Sequence, residues 1–280
     1  MTLKQALSHA RRILNIDDAP LECELLLGHA LKINRVQLYL NLDHELSPEQ
    51  EETFWHLVRR RLNAEPAAYI TGHREFYGLD FYIDHRVFIP RPETELLVEK
   101  TVNIAQHYPV ATIAEIGTGC GAIAICLALN LPQVRIYATD ASADALEVAS
   151  LNCQKHGVAI YLLHGDMLAP LPEPIDLIVA NLPYVRESEL DHTFEPLLAL
   201  NGGSDGLEAI RQLCRQLSHQ LQPRGHLLLE IGQGQVTAVT SLLHELFPGA
   251  KIEVTPDLGG IDRVVSLKPA TITVESPNSS

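Results

Sequence analysis

From about Thr94 onward, segments with strand and helix patterns follow one another along the chain, and this succession restricts the fold more than any other feature. Apolar runs of strand length lie at Thr112–Ile116, Val134–Thr139, Ile160–Leu163, Ile175–Ala180, His226–Ile231, Lys251–Val254 and Val264–Leu267. Helical spacing of apolar residues lies at Leu96–Gln106, Gly121–Leu129, Ala143–His156, Gly206–Leu221 and Val236–Leu246. Alternating βαβ units predict an α/β fold, a mostly parallel, doubly wound sheet with helices on both faces. Such a sheet takes its ligands beyond the C-terminal ends of its strands. The residues that follow each strand are therefore the first candidates for function.

The preceding segment has a different texture. Leu3, Ala6, Leu7, Ala10 and Leu14 follow one helical stripe. Asp18 and Pro20 read as the cap and first turn of a second helix carrying Leu21, Leu25 and Leu31. Ser47-Pro48 with Gln50 reads as a capping box that opens a third, burying Phe54, Leu57, Val58 and Leu62. The run Arg59-Arg60-Arg61 is expected on the solvated face of that helix. Between Arg74 and Pro90 the sequence turns aromatic and β-branched, with Gly and Asp interruptions, which predicts a hairpin. The 280 residues allow two modest domains. The expected division is helices over 1–72, a hairpin linker over 73–93, the α/β domain over 94–268, and a tail over 269–280 without regular structure.

Charge narrows the partners. The net charge is −14, and it is uneven: residues 1–75 carry −2 and residues 76–280 carry −12. An acidic body repels phosphate backbones, so direct nucleic-acid binding is not expected. The longest apolar runs fall short of a membrane span, and the first residues lack the continuous apolar stretch of a secretory leader. A soluble, cytoplasmic protein is expected, and no coiled-coil pattern argues against a monomer. The cysteines number five and form no C-x-x-C pair, and the thirteen histidines show no metal-ligand spacing, so neither a disulfide framework nor a metal site is indicated.

The first strand of the α/β region ends in Glu115-Ile116-Gly117-Thr118-Gly119-Cys120-Gly121 and leads at once into a helix. Glycines there let the backbone turn sharply and approach a ligand. The second strand ends in Asp140, nineteen residues after Gly121, where a carboxylate can accept both ribose hydroxyls of a nucleoside. Three ligands suit this arrangement. NAD asks for G-x-G-x-x-G, whereas this loop is G-x-G-x-G. A nucleoside triphosphate asks for G-K-[ST], which is missing. S-adenosylmethionine has the ribose and adenine but no pyrophosphate, and it is favoured. At the third strand end, Asp166 can accept from an adenine amino group, and Met167 can pack on the ring or offer its N–H.

The fourth strand runs into Asn181-Leu182-Pro183-Tyr184. This set suits the alkylation of a planar nitrogen. An amide nitrogen has its lone pair tied up in resonance and is a poor nucleophile. Two acceptors that hold its N–H groups encourage it to pyramidalise and aim the lone pair at a methyl group. Asn181 Oδ1 and the Leu182 carbonyl can be those acceptors, and Tyr184 can pack over the amide and exclude water.

These residues closely resemble the release factor glutamine methyltransferases (the PrmC/HemK family) over nearly the whole chain. The resemblance includes EPAAYITGHREFYGLDF (Glu65–Phe81), FIPRPETE (Phe88–Glu95), EIGTGCG, Asp140, NLPY and NGGSDGL (Asn201–Leu207). It implies a seven-stranded, Rossmann-like class I S-adenosylmethionine methyltransferase domain behind a small helical domain. It implies methylation of the side-chain amide of the Gln in the Gly-Gly-Gln motif of peptide chain release factors. By the same resemblance Gly117–Gly121, Asp140, Met167 and Asn181 contact the cofactor. Asn181, Leu182, Pro183 and Tyr184 hold the substrate Gln, Arg91 and Glu93 sit near the site, and the N-terminal helices dock the release factor.

One position departs from the family pattern. The family has Asn-Pro-Pro-Tyr where this chain has Leu182. The carbonyl acceptor survives, and Leu182 still precedes Pro183 and is biased to extended backbone. The fixed φ of a proline is lost, so a small loss of preorganisation is expected. The loop also resembles that of ribosomal RNA adenine dimethyltransferases, which makes adenine N6-methylation of RNA or DNA the rival reading.

Overall fold

The structure, a computed structural model, describes residues 1–191 and 193–268. The expectation for the tail from Pro269 lies outside the described residues. The chain divides into two compact units, Met1–Arg74 and a second that begins at Glu75.

The first unit is helical: α1 (Leu3–Leu14), α2 (Ala19–Leu31), α3 (Arg35–Leu40), α4 (Pro48–Leu62) and α5 (Ala67–Thr71). Reciprocal capping boxes start α1 at Thr2/Gln5, α3 at Asn34/Gln37 and α4 at Ser47/Gln50. Each satisfies two backbone donors that the first turn leaves over. The expected stripe on α1 is buried throughout. On α2 the outcome differs, since Leu21 and Leu25 are 44% and 48% exposed while Cys23, Leu26 and Leu27 face the core. That helix is apolar nearly all round, so periodicity selects no face and packing against α1 and α4 decides. Leu62, in the last turn of α4, is also exposed rather than buried. The Glu24 carboxylate is buried and offset by Arg11 and Arg35, each at 2.8 Å, and by the Tyr39 hydroxyl at 2.6 Å. Arg60 and Arg61, expected in solvent, are half-buried and paired with Glu65 and Glu22. The short α3 and α5 span too few turns to leave a periodic signal.

Strands β1 (His73–Phe76) and β2 (Leu79–Tyr82) form the expected hairpin. Tyr77 and Gly78 both have positive φ, 52° and 72°, as a two-residue turn between twisted strands requires. The Tyr77 N–H donates to Glu95 Oε1 at 2.8 Å, which ties the turn to the start of α6 (Glu95–His107).

The rest of the second unit is the α/β body. In chain order it comprises β3 (Thr112–Ile116), α7 (Ala122–Asn130), β4 (Arg135–Asp140), α8 (Ala143–His156), β5 (Tyr161–His164) and β6 (Ile175–Ala180). These are followed by α9 (Leu197–Leu200), α10 (Glu208–Gln220), β7 (Leu221–Glu230), α11 (Val236–Leu246), β8 (Lys251–Pro256) and β9 (Asp262–Lys268). The sheet order is β5-β4-β3-β6-β7-β9-β8. Pairing is parallel from β5 to β7, and β9 runs antiparallel to β7 and β8. Alternate residues pack on opposite faces. Ala114, Ile116, Ile178, Ala180, Leu227 and Leu229 share one core with Ile210, Leu213 and Leu217 of α10 and Val239 and Leu243 of α11. The alternate set, Ile113, Leu177, Val179 and Leu228, is equally buried. Burial on both faces is why these strands read as continuous apolar runs. Strand β7 starts at Leu221 rather than His226: Leu221 pairs with Ile175, the register then shifts before Leu177 meets His226, and the intervening residues, with Pro223 and Arg224 exposed, carry no apolar strand signal.

The strand order reverses at β3: the chain moves outward through β4 and β5, then returns to β6 on the other side. This switch point opens a crevice at the C-terminal ends of β3 and β6. One buried side chain links the crevice to the hairpin. Asn152 of α8 accepts from Tyr82 N at 2.8 Å and donates to Tyr82 O at 3.0 Å and to the carbonyl of Cys120 at 2.9 Å. Asn152→Ala would leave those three backbone groups without partners, and a loss of about 2–4 kcal/mol is expected. A urea titration of both proteins measures it; an unchanged midpoint would remove Asn152 from the framework.

Candidate active site

The crevice is built first by the loop after β3. Gly117, Gly119 and Gly121 all have positive φ (74°, 55° and 84°), so the loop curls tightly, with Gly117 N and Thr118 N donating to Thr139 O at 2.9 and 3.0 Å and Gly121 N to Thr118 O at 2.9 Å. Its shape is held by Glu115, whose Oε2 accepts from Thr118 Oγ1 at 2.6 Å and from Ala124 N at 2.8 Å. Glu115 is 2% exposed, and burial pushes its carboxyl up to about 8 against those two hydrogen bonds. Asp140 closes the opposite wall at the end of β4. Its Oδ2 accepts from Gly119 N at 2.8 Å and its Oδ1 from Ser142 N at 2.9 Å. Burial raises its pKa while these backbone donors lower it.

Beyond β5, both Asp166 oxygens accept from the Gln212 amide of α10, at 2.7 and 2.9 Å. Met167 has φ 47°, and its carbonyl accepts from Thr139 Oγ1 at 2.9 Å. Gly117, Thr118, Gly119, Cys120, Asp140, Asp166 and Met167 all line one cleft. Gly121 does not. A side chain there would come within 3.2 Å of Ala149 Cβ and 3.3 Å of Ile125 Cδ1, so its part is to let α7 pack on α8.

Asn181, Leu182, Pro183 and Tyr184 line the same cleft. Asn181 Nδ2 donates to Thr94 Oγ1 at 3.2 Å, which leaves Oδ1 as the acceptor end of the amide. Leu182 is 4% exposed and belongs to the core under the sheet. Burial pushes the Tyr184 hydroxyl up to about 12. The Tyr184 carbonyl accepts from Gln235 Nε2 at 3.2 Å. The same nitrogen donates to Gly206 O at 3.1 Å, and Gln235 Oε1 accepts from Gly232 N at 2.8 Å. The Asn201–Leu207 segment packs directly on this loop. Gly202 N donates to Val185 O at 2.8 Å, and a Cβ on Gly206 would lie 2.5 Å from Tyr184 O. Glycine at 206 is thus set by the close passage of two backbones.

The Phe88–Glu95 segment supplies Thr94 and a second brace. Arg91 lines the cleft, lies over the Phe88 ring at 4.6 Å and pairs with Glu195 Oε2, while Glu195 Oε1 accepts from Ile89 N at 2.9 Å. Glu93 does not line the cleft; its charge acts on Tyr184 and Glu230. Sequence reasoning had assigned no part to Thr94, Glu115, Glu195, Gln235 or Glu230. Thr94 and Glu115 lie inside recognised segments, and Glu230 is a charged residue in an apolar strand, which is a signal. Glu195 and Gln235 leave none. Among the described residues no cluster of His, Cys, Asp or Glu could hold a metal ion.

The cleft holds about 750 Å³, within the usual range for a small-molecule site. A tight glycine loop beside a strand-end carboxylate fits a nucleoside with a short zwitterionic tail, and the cleft offers no phosphate-binding lysine. Sheet order, loop and carboxylate define a class I S-adenosylmethionine-dependent methyltransferase. A methyltransferase of known structure from Pyrococcus furiosus shares the fold, with a TM-score of 0.53 at 18% identity over 69% of this chain and 89% of that one.

Two family models match the chain, the PrmC N-terminal domain over residues 5–72 and the methyltransferase small domain over residues 92–252. The release factor glutamine methyltransferase of Moorella thermoacetica is 43% identical over 94% of this chain and 97% of its own length. That of Bacillus anthracis is 38% identical over 86% and 90%. The chain belongs to the release factor glutamine methyltransferase family, and its cofactor is S-adenosylmethionine.

The raised pKa of Glu115 has a consequence for stability. The folded state favours the neutral acid, so the contribution is full below the ordinary value of 4.5 and is lost as pH rises through about 8. Urea midpoints of the wild type should fall between about pH 5 and about pH 8, and Glu115→Gln should flatten that fall. Parallel curves for the two proteins would mean that Glu115 titrates normally.

Proposed function

We propose that this chain transfers the methyl group of S-adenosylmethionine to the side-chain amide nitrogen, N5, of the Gln in the Gly-Gly-Gln motif of class I release factors. The observation that carries this reading is Asn181, held by Thr94 beside the cleft with Oδ1 as its acceptor end, in a chain whose full-length relatives bear that enzyme's name.

Bound S-adenosylmethionine supplies an electrophilic methyl on a positively charged sulfur. The chain's own residues do the rest. The loop Gly117–Cys120 and the helix start behind it border the cofactor's polar tail. Asp140 accepts from the ribose hydroxyls. Asp166 and Met167 border the adenine, and Asp166 must share its oxygens with Gln212 to accept from the ring. Asn181 Oδ1 and the Leu182 carbonyl accept the two N–H groups of the substrate amide, which localises its lone pair for in-line attack. Pro183 keeps the loop extended, and Tyr184 covers the amide face and keeps water out.

Residues 1–72 are assigned to docking the release factor, since the match to the family's N-terminal domain covers them. Residues 73–93 are assigned as the linker and 94–268 as the catalytic domain. The −12 charge over residues 76–280 favours a protein partner over nucleic acid. Among the described residues no helix is long and apolar enough to cross a membrane. We assign a monomer acting in the cytoplasm.

Asn181→Ala should lower kcat about 100-fold or more, with S-adenosylmethionine affinity within about threefold of wild type. Asp140→Ala should do the reverse, weakening the affinity about 10- to 100-fold in calorimetry. Equal effects of the two variants on both quantities would dissolve the division of roles. The decisive assay gives the enzyme methyl-labelled S-adenosylmethionine with release factor carrying either the motif Gln or Ala in its place. Label on the Gln form alone is expected; label on RNA or DNA instead would establish the adenine reading.

A further inference from the structure

Strand β7 ends in a carboxylate that the scheme above leaves unused. Glu230 is 2% exposed, and its Oε2 is buried with no hydrogen-bond partner. In the parallel register Ala180 of β6 pairs with Leu229 of β7, so Asn181 and Glu230 are the next residues on adjacent strands. The groups that bear on Glu230 come from three directions. The hydroxyls of Thr94, ahead of α6, and of Tyr184, in the loop after β6, favour its ionised form, as does the charge of Arg263 of β9, and the charge of Glu93 opposes it. Thr94 is itself 4% exposed and accepts from Asn181 Nδ2 at 3.2 Å.

We propose that Glu230 is a positioning residue which, through Thr94, fixes which end of the Asn181 amide faces the substrate glutamine. The proposal rests on the reading of Asn181 as a substrate-amide acceptor. A threonine hydroxyl has one proton. Directed at an ionised Glu230, that proton leaves the oxygen lone pairs for Asn181 Nδ2, and Asn181 Oδ1 turns to the substrate. A neutral Glu230 offers a proton of its own to Thr94, whose hydroxyl proton then points at Asn181. The Asn181 amide flips to accept it and presents NH2 to the substrate N–H groups, donor against donor. The two orientations of an amide have almost the same shape, so packing discriminates poorly between them, and the direction of this hydrogen-bond chain decides. The Tyr184 hydroxyl favours the same ionised form.

Burial pushes Glu230 up to about 7, with Glu93 adding to the rise and Thr94, Arg263 and Tyr184 opposing it. The carboxylate therefore changes state within the working pH range. Turnover should rise with pH as Glu230 ionises.

The test uses the full chain with S-adenosylmethionine and intact release factor. Turnover is measured from about pH 5.5 to about pH 9, and cofactor affinity is measured separately. The wild type should show an acid limb with a midpoint near 7. Glu230→Gln should abolish that limb and lower kcat about 10- to 100-fold at alkaline pH, with cofactor affinity within about threefold. Glu230→Asp should keep a limb and recover part of kcat. Thr94→Val should lose the limb as Glu230→Gln does, and the double variant should cost no more than either single one. A Glu230→Gln enzyme with the wild-type limb overturns the proposal. If Glu230→Gln fails to fold, Thr94→Val decides, and a limb retained there overturns it equally. An active Asn181→Ala enzyme would instead remove the underlying reading, whatever the profile of Glu230→Gln.

Discussion

Parallel pairing of β3 with β4 on one side and β6 on the other is the constraint on which the catalytic unit depends. Because both neighbours run parallel to β3, all three strands deliver their last residues to the same edge. Gly117 follows one strand, Asp140 ends the second, and Asn181 follows the third. A residue that would bind the cofactor's sugar and one that would orient the substrate are thereby brought together although far apart in sequence. The register also carries chemistry outward. Glu230 stands at the same edge because β7 continues the parallel set, whereas the antiparallel β9 brings Arg263 there from its opposite end.

The sheet sets where the loops begin, but loops of this length need further restraint. The structure supplies it with buried side chains that bond to backbone. Glu115 pins the glycine loop to α7, Asn152 pins the same loop to the hairpin, and Gln235 pins the Tyr184 carbonyl to Gly206. Glu195 holds the strand-like approach to Arg91. Each removes an otherwise unsatisfied buried group and at the same time fixes the position of a residue lining the cleft. The burial that makes these contacts strong also shifts the groups that make them. Glu115 and Glu230 are both pushed toward the neutral acid, one as a framework residue and the other beside the acceptor loop.

The sheet and its loops were legible in the sequence because they depend on short-range rules. Strands buried on both faces give unbroken apolar runs, and ligand loops follow directly from their ends. The α1 stripe and the α4 cap were readable for the same reason. What escaped was decided by tertiary packing. The apolar circumference of α2 does not reveal that Leu25 faces solvent while Leu26 faces the core. The polar start of β7 does not resemble a strand. The close packing of Gly121 on Ala149 and Ile125 leaves no signal in the glycine spacing. In the cleft, Asp166 was readable as an acceptor, but not the Gln212 amide that occupies it. Long-range side-chain partners of this kind follow from the fold and not from spacing.

Leu182 brings these strands of argument together. A proline at this position would hold the acceptor loop through its own ring, by fixing φ before the next residue is placed. This chain holds the loop from outside. The Leu182 side chain is buried in the core beneath the sheet, and its Cδ2 lies 3.4 Å from where a Cβ on Gly117 would stand. It thus anchors the acceptor loop to the cofactor loop by packing. Pro183 keeps residue 182 extended, Thr94 fixes the amide before it, and Gln235 fixes the carbonyl after it. With its neighbours restrained on both sides, the backbone carbonyl at 182 needs no ring of its own to hold its direction. The restraint that a proline ring gives by fixing φ is matched here by a packing restraint on the side chain at 182, which only the fold reveals.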